Sequence, residues 1–223
     1  MSARDDILGN IRRSLGATGT EATRRGVAAD RLARAPAGVI PEIARREGAA
    51  RLALFQEKAE AAAATVSIVR NDREVPGEIA RYLSRHNLPA TLRIGADARL
   101  AALPWGETAL ELTRGASDGH DLNAASCALA GVAETGTLAL AAGAENPTTL
   151  NFLPDNHIVV LSADDVVGDM ESVWGRLRAL FGKGKMPRAL NLVTGPSRSA
   201  DIEQTLLLGA HGPRRLHIVV IAS

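Results

Sequence analysis

The chain has 223 residues, 46% of them hydrophobic, a formal net charge of +1 and one cysteine. Enough apolar material is present for one large domain or a domain with appendages, and the balanced charge argues against general attraction to nucleic acid or anionic membranes. A lone Cys127 excludes an intrachain disulfide, a cysteine-based zinc site and an iron–sulfur cluster held by this chain, and with an acid-bearing start and no apolar run of about 18–20 residues the reading is a cytoplasmic protein outside the membrane.

In chain order, Ser2 to Leu15 predicts a short amphipathic helix, with Ile7, Leu8, Ile11 and Leu15 at helical spacing and Ser2 or Asp5 able to cap it. The Gly-, Ala-, Thr- and Arg-rich stretch up to Gly38 has no period and reads as a flexible linker. Residues 1–38 are thus taken as N-terminal helix plus linker, and residues 39–223 as the main domain. There, a long helix is expected from Pro41 to Ala64, a strand from Thr65 to Arg70, a helix from Val75 to Asn87, a strand from Ala90 to Gly95 and a third strand from Thr108 to Arg114. Ser126–Ala133 and Thr137–Ala142 read as two strands or one bent strand, followed by a loop and then the nearly continuous apolar strand "HIVVLS". A helix over Val166–Phe181, a buried strand "ALNLVTG", a helix over Asp201–Leu208 and the closing strand "LHIVVIAS" complete the order. The strand–helix rhythm predicts an α/β fold with a mostly parallel sheet and helices on both faces, and a core of Ala, Leu and Val, since aromatics are only 3%.

Two stretches carry the polar residues worth weighing. In "GVAETGTLAL", apolar alternation flanks Glu134, Thr135, Gly136 and Thr137. This is either a turn with Gly136 at positive φ and Glu134 in water, or a pocket rim in which the carboxylate serves as base, nucleophile or ligand anchor. In "LVTGPSRSADIEQ", a strand ends near Thr194 and a turn carries Gly195, Ser197, Arg198 and Ser199. A helix starting near Ser199–Asp201 would add free N–H groups, with Asp201 and Gln204 in capping-box spacing. A helix start at the carboxyl end of a strand suits an anion, and Arg198 could grip a carboxylate; the plainer alternative is an ordinary turn with Arg198 in water. His211 lies about 14 residues beyond Ser197, on the order of 15 Å along a helix, which puts it outside the Arg198 site unless it arrives across a dimer interface. The histidines show no metal-ligand spacing, "GKGK" lacks the P-loop pattern, and there is no dinucleotide fingerprint. Cys127 reads as a small core residue.

The ordered blocks "AETGTLAL", "FLPDNHIVVL" and "GPSRSADIEQTLLLGAHGPRRLHIVVI" resemble the signature of the lactate utilization protein C family (LutC/YkgG), built on the LUD domain. The resemblance implies a three-layer α/β fold similar to the ribose-5-phosphate isomerase, glucosamine-6-phosphate deaminase and CoA-transferase group. It also implies a part in bacterial oxidation of L-lactate to pyruvate beside partner proteins that carry iron–sulfur clusters. The family motif maps onto Glu134, Thr135, Gly136 and Thr137, onto Pro154 and His157, and onto Gly195, Pro196, Ser197, Asp201, Glu203, Gly209, His211, Gly212 and Pro213. Where many relatives carry threonine this chain has Ser199, which keeps the hydroxyl.

The first functional expectation is therefore a non-redox subunit of an L-lactate utilization system. It would bind a small carboxylate and hold no cofactor or metal itself, its iron–sulfur clusters residing in partner subunits. Glu134 is the expected catalytic residue; Thr135, Gly136, Thr137, Gly195, Ser197, Arg198, Ser199 and Asp201 are the expected anion-binding set, with Glu203 and His211 as further candidates. The alternatives are a stand-alone isomerase or transferase acting on a sugar phosphate, folate or acyl-CoA, or an anion-binding scaffold without chemistry. A homo-oligomer is compatible with each.

Overall fold

The computed structural model describes residues 2–199 and 207–222. By internal contacts the chain divides into two units, Met1–Val39 and Ile40–Ser223.

The first unit holds α1 (Ala3–Ser14) and α2 (Ala22–Arg34). The start of α1 is a capping box: Ser2 Oγ accepts from the Asp5 N–H, and the Asp5 carboxylate accepts from the Ser2 N–H at 3.1 Å. The second helix lies in the stretch expected to be a linker. Alanine and arginine favour the helix even without periodicity, and Asp30 pairs with Arg34 one turn later. Glu21 gathers the N–H groups of Thr18 (2.6 Å) and Gly19 (3.0 Å) just before the helix, which holds its carboxyl down to about 2.

The second unit runs α3 (Gly48–Ala61), β1 (Thr65–Val69), α4 (Val75–Arg85), β2 (Thr91–Ile94), α5 (Ala98–Ala101), β3 (Glu111–Arg114), β4 (Asn123–Cys127), β5 (Ala130–Val132), β6 (Thr137–Ala141), α6 (Thr148–Phe152), β7 (Asn156–Ser162), β8 (Val166–Val167), α7 (Met170–Phe181), β9 (Leu190–Val193), β10 (Arg198–Ser199), β11 (Leu207–Leu208) and β12 (Arg215–Ile221). Among the described residues no helix is long and apolar enough to cross a membrane. Six strands form one parallel sheet in the order β1-β12-β7-β4-β2-β3. Side-chain alternation along a strand sorts its two faces. Ile158, Val160 and Val219 turn towards α4 and α5, where Val75, Ile79, Leu83 and Leu100 meet them. Val159, Leu161, Ile218 and Val220 turn the other way, onto Leu54 and Phe55 of α3 and Leu138 and Leu140 of β6. A second sheet, β8-β5-β6-β9, joins α3 on that side, and Val173 and Leu177 of α7 pack against it. Helices thus cover both faces of the parallel sheet, as its doubly apolar strands require.

Several local expectations give way. The helix expected from Pro41 is a short 3-10 turn, Glu42–Arg45, and α3 begins only at Gly48. The Ala44 carbonyl sits so close to Gly168 that a Cβ there would lie 1.9 Å from it, and Arg51 Nε donates back to the Arg46 carbonyl at 2.9 Å, so packing and not period sets this break. Val166 and Val167 pair with β5 as a strand, and α7 starts after Asp169, whose carboxylate accepts from the Ser172 N–H. The loop at "NPTTLNF" contains α6, and the bent strand around Cys127 splits between the two sheets. The helix expected over Asp201–Leu208 ends in a strand, Leu207–Leu208, paired antiparallel with Arg198–Ser199; residues 201–206 lie outside the described residues.

Two glycines at positive φ also meet the C-terminal end of α3 too closely for a Cβ. Gly136 (φ +67°) would place one 2.3 Å from the Ala59 nitrogen, and Gly195 (φ +70°) would place one 2.0 Å from the Ala62 carbonyl oxygen. Gly136→Ala and Gly195→Ala are each expected to lower unfolding free energy by roughly 2–5 kcal/mol, from left-handed backbone strain plus overpacking. Gly175→Ala, inside α7 with nothing near its Cβ position, is expected to raise it by about 0.5–1 kcal/mol. Urea denaturation of the three variants checks both signs.

Candidate functional site

The two stretches singled out in the sequence are neighbours in space. β6 and β9 pair antiparallel, with Leu138 opposite Val193. Thr137 Oγ1 therefore reaches Thr194 Oγ1 at 2.7 Å, and Thr135 Oγ1 reaches Thr137 Oγ1 at the same distance. Glu134 is half-buried and turned elsewhere: its Oε1 accepts the Met170 N–H at 2.9 Å, at the start of α7. A carboxylate there satisfies an otherwise unpaired helix N–H and meets the favourable end of the helix dipole. Glu134 is absent from the lining of the cavity formed by the second stretch. The geometry thus joins Thr137, and not Glu134, to the Gly195–Ser199 turn.

That cavity measures about 280 Å³ and is lined by Gly195, Ser197, Arg198 and His211, together with Asn151 and His157. Arg198 and His211 therefore share one pocket in one chain, against the expectation that a helix would separate them. The chain doubles back instead. Besides the β10–β11 pairing, the Ser197 N–H donates to the Pro213 carbonyl and the Gly209 N–H to the Ser197 carbonyl, both at 2.9 Å. Ser199 belongs to β10, so the expected helix start at that residue is a strand. Asp201 and Glu203 lie outside the described residues. Arg198 donates through Nη2 to the Ala62 carbonyl at the end of α3, which anchors the guanidinium and, among the described residues, leaves its other N–H groups. The cavity also lies at an unexpected end of the fold. β9 belongs to the smaller sheet, and His157 and Leu216 sit at the amino ends of β7 and β12.

The inner wall is made of residues that the sequence left without a chemical part. His157 is 1% exposed; its Nε2 lies 2.7 Å from Ser126 Oγ, and its Nδ1 has no hydrogen-bond partner among the described residues. Burial pushes the imidazole down to about 3, so the ring is neutral near pH 7. Asn151, also 1% exposed, has no partner among the described residues for either its amide oxygen or its nitrogen. Buried polar groups are normally paired, so two such side chains beside one cavity make it the candidate site. Alternation offered a signal for Ser126 and His157, since both fall on the sheet face that carries Val159; Asn151 lay in a segment read as loop. Cys127 is buried on the opposite face and burial pushes its thiol up to about 12, which removes it as a thiolate nucleophile or ligand.

His217 forms a separate buried cluster. Its Nδ1 meets Thr65 Oγ1 at 2.8 Å, its ring stacks on Tyr82 at 4.0 Å, and Glu78 Oε1 stands 4.0 Å from Nε2. Burial pushes this imidazole down to about 4, against the pull of Glu78. Both folded histidines stay neutral where the unfolded chain, with values near 6.5, takes up protons. Stability is therefore full above about pH 6.5 and falls as pH drops towards 4, by up to about 2.7 kcal/mol per pH unit for two protons. Thermal melts from pH 7 to pH 4 check this; His217→Gln is expected to flatten the slope between pH 6 and 4.5, and a melting temperature constant from pH 7 to 4.5 would contradict the assignment.

The LUD domain family matches residues 124–221, which contain the cavity and both stretches. Lactate utilization protein C of Shouchella clausii is 33% identical over 90 residues, 40% of this chain and 39% of the relative. The same-named protein of Geobacillus thermodenitrificans is 32% identical over 126 residues, 53% of this chain and 52% of the relative. The chain thus spans two fifths to half the length of these curated relatives. Among solved structures, a DUF162 family protein from Deinococcus radiodurans aligns with a TM-score of 0.56 at 23% identity, over 77% of this chain and 96% of that one, and shares the fold.

Proposed function

We propose, from the premise that the chain belongs to the LUD-domain family of lactate utilization protein C, that it is a component of a lactate utilization system and binds a small 2-hydroxy or 2-oxo carboxylate. The observation that carries the reading is the cavity between Arg198 and His157, with its unpartnered Asn151 amide and His157 Nδ1. At the rim, the N–H groups of Arg198 beyond its Ala62 contact and the Ser197 hydroxyl suit a carboxylate. Deeper in, a neutral imidazole and a primary amide suit a hydroxyl or carbonyl oxygen on the next carbon. The Ser126 contact decides which ring nitrogen carries the proton, and so whether Nδ1 meets the ligand as donor or acceptor.

Oxidising a hydroxyl to a carbonyl removes two electrons, and these need an acceptor. The chain's one thiol is buried and held protonated. In this reading the electrons pass to iron–sulfur partner subunits, and this chain contributes binding and orientation of the acid. Glu134 contributes by fixing the start of α7 and, through the 134–137 turn, the threonine hydroxyls beside the cavity.

L-Lactate and pyruvate are expected to raise the melting temperature of the purified chain in a concentration-dependent way. Arg198→Gln and Asn151→Ala are expected to weaken the ligand by roughly tenfold to a hundredfold, the effect of losing a hydrogen bond to a charged group or a buried polar partner. Absence of any shift with either acid at about 100 times a millimolar dissociation constant would overturn the carboxylate reading. Unimpaired growth on L-lactate after deletion of the gene would overturn the assignment to lactate utilization.

A further inference from the structure

A second cavity, about 480 Å³, opens at the carboxyl ends of β2 and β4, lined by Asp97, Arg99, Leu129, Asn146, Leu180 and Phe181 among others. Parallel sheets usually place ligands at this end, and the volume lies in the small-molecule range of roughly 300–1,000 Å³. Its walls are held in place. The loop 142–146 is clamped to the end of β2, where the Ala96 N–H donates to the Glu145 carbonyl at 2.9 Å and a Cβ on Gly95 would lie 2.1 Å from that oxygen. Arg99 donates to Asp97 at 2.8 and 3.1 Å and to the Ala128 carbonyl at 3.0 Å. Those three bonds leave two of the five guanidinium N–H groups, one on each terminal nitrogen.

The decisive atom is Asn146 Oδ1. The residue is 7% exposed, and its Nδ2 donates to the Ala141 carbonyl at 3.3 Å, which fixes the orientation of the amide. Oδ1 is left as a buried acceptor without a partner among the described residues. The remaining wall is mostly apolar. A polyol would leave hydroxyls unpaired on it, at a free-energy cost for each. A flat ring with one N–H donor edge would cover the apolar wall and satisfy Oδ1. Arg99, at the exposed rim, then faces an anionic substituent.

We infer that this cavity is a nucleotide site, with an amine-bearing purine base against Leu129 and Phe181, its amine donated to Asn146 Oδ1 and its phosphate at Arg99. The site is distinct from the carboxylate cavity. The two lie at opposite ends of neighbouring parallel strands, β4 and β7, a separation on the order of 15–20 Å for strands of this length.

Isothermal titration of the full chain with AMP, adenosine and purine riboside, which lacks the amine, tests the assignment. AMP is expected to bind, with purine riboside weaker than adenosine by about tenfold or more. Asn146→Ala should weaken AMP and adenosine alike, and Arg99→Gln should weaken AMP while sparing adenosine. Excess L-lactate should leave AMP affinity unchanged. No heat with AMP up to about 1 mM, equal affinity for adenosine and purine riboside, or displacement of AMP by lactate would each overturn the assignment. The ligand series on the wild-type chain decides the matter if Asn146→Ala fails to fold.

Discussion

The C-terminal end of α3 is the post on which the site is built. Within Lys58–Ala62 it receives Gly136 from one side, Gly195 from another, and the guanidinium of Arg198 on its last free carbonyls. Both glycines approach too closely for a Cβ, and both also adopt a left-handed backbone that other residues avoid. The β6–β9 pairing and the Thr137–Thr194 hydrogen bond then follow from seating both turns on one helix end. Two short motifs about sixty residues apart are neighbours because a helix between neither of them holds both.

The parallel sheet was legible because its chemistry is local and repetitive. "HIVVLS" and "LHIVVI" are apolar on both faces, and only a strand covered on both sides uses such a sequence. Capping was legible up to the choice between Ser2 and Asp5, which stand three apart and bond to each other. What escaped was set by tertiary contact. The break before Gly48 depends on Ala44 meeting Gly168, and the second sheet depends on Val166 meeting Gly131, neither of which leaves a period in the sequence. The linker reading of α2 failed differently: low apolar content marks the lack of a buried face, and alanine with arginine builds a helix without one.

The candidate site divides along the same line. Gly195, Ser197 and Arg198 drew attention because their residue types suit an anion where a strand ends, and they line one cavity. Their partner was misplaced, because the ~15 Å separation assigned to His211 assumed a helix, and here an antiparallel strand pair returns it to the same pocket. Asn151 was invisible, since an amide in a segment read as loop acquires meaning only from what stands opposite it. Glu134 drew attention as a carboxylate in an apolar run, and the same oddity is explained by a helix start that needs an acceptor.

The position of Cys127 has a practical side. It is the chain's one sulfhydryl, and both its burial between the parallel sheet and α5 and its strongly held proton silence it. The native molecule therefore presents a weakly nucleophilic background for thiol-directed labelling. A cysteine introduced at any exposed position becomes the sole reactive handle, and a spin label or fluorophore placed there can map, without further engineering, where another protein settles on this chain.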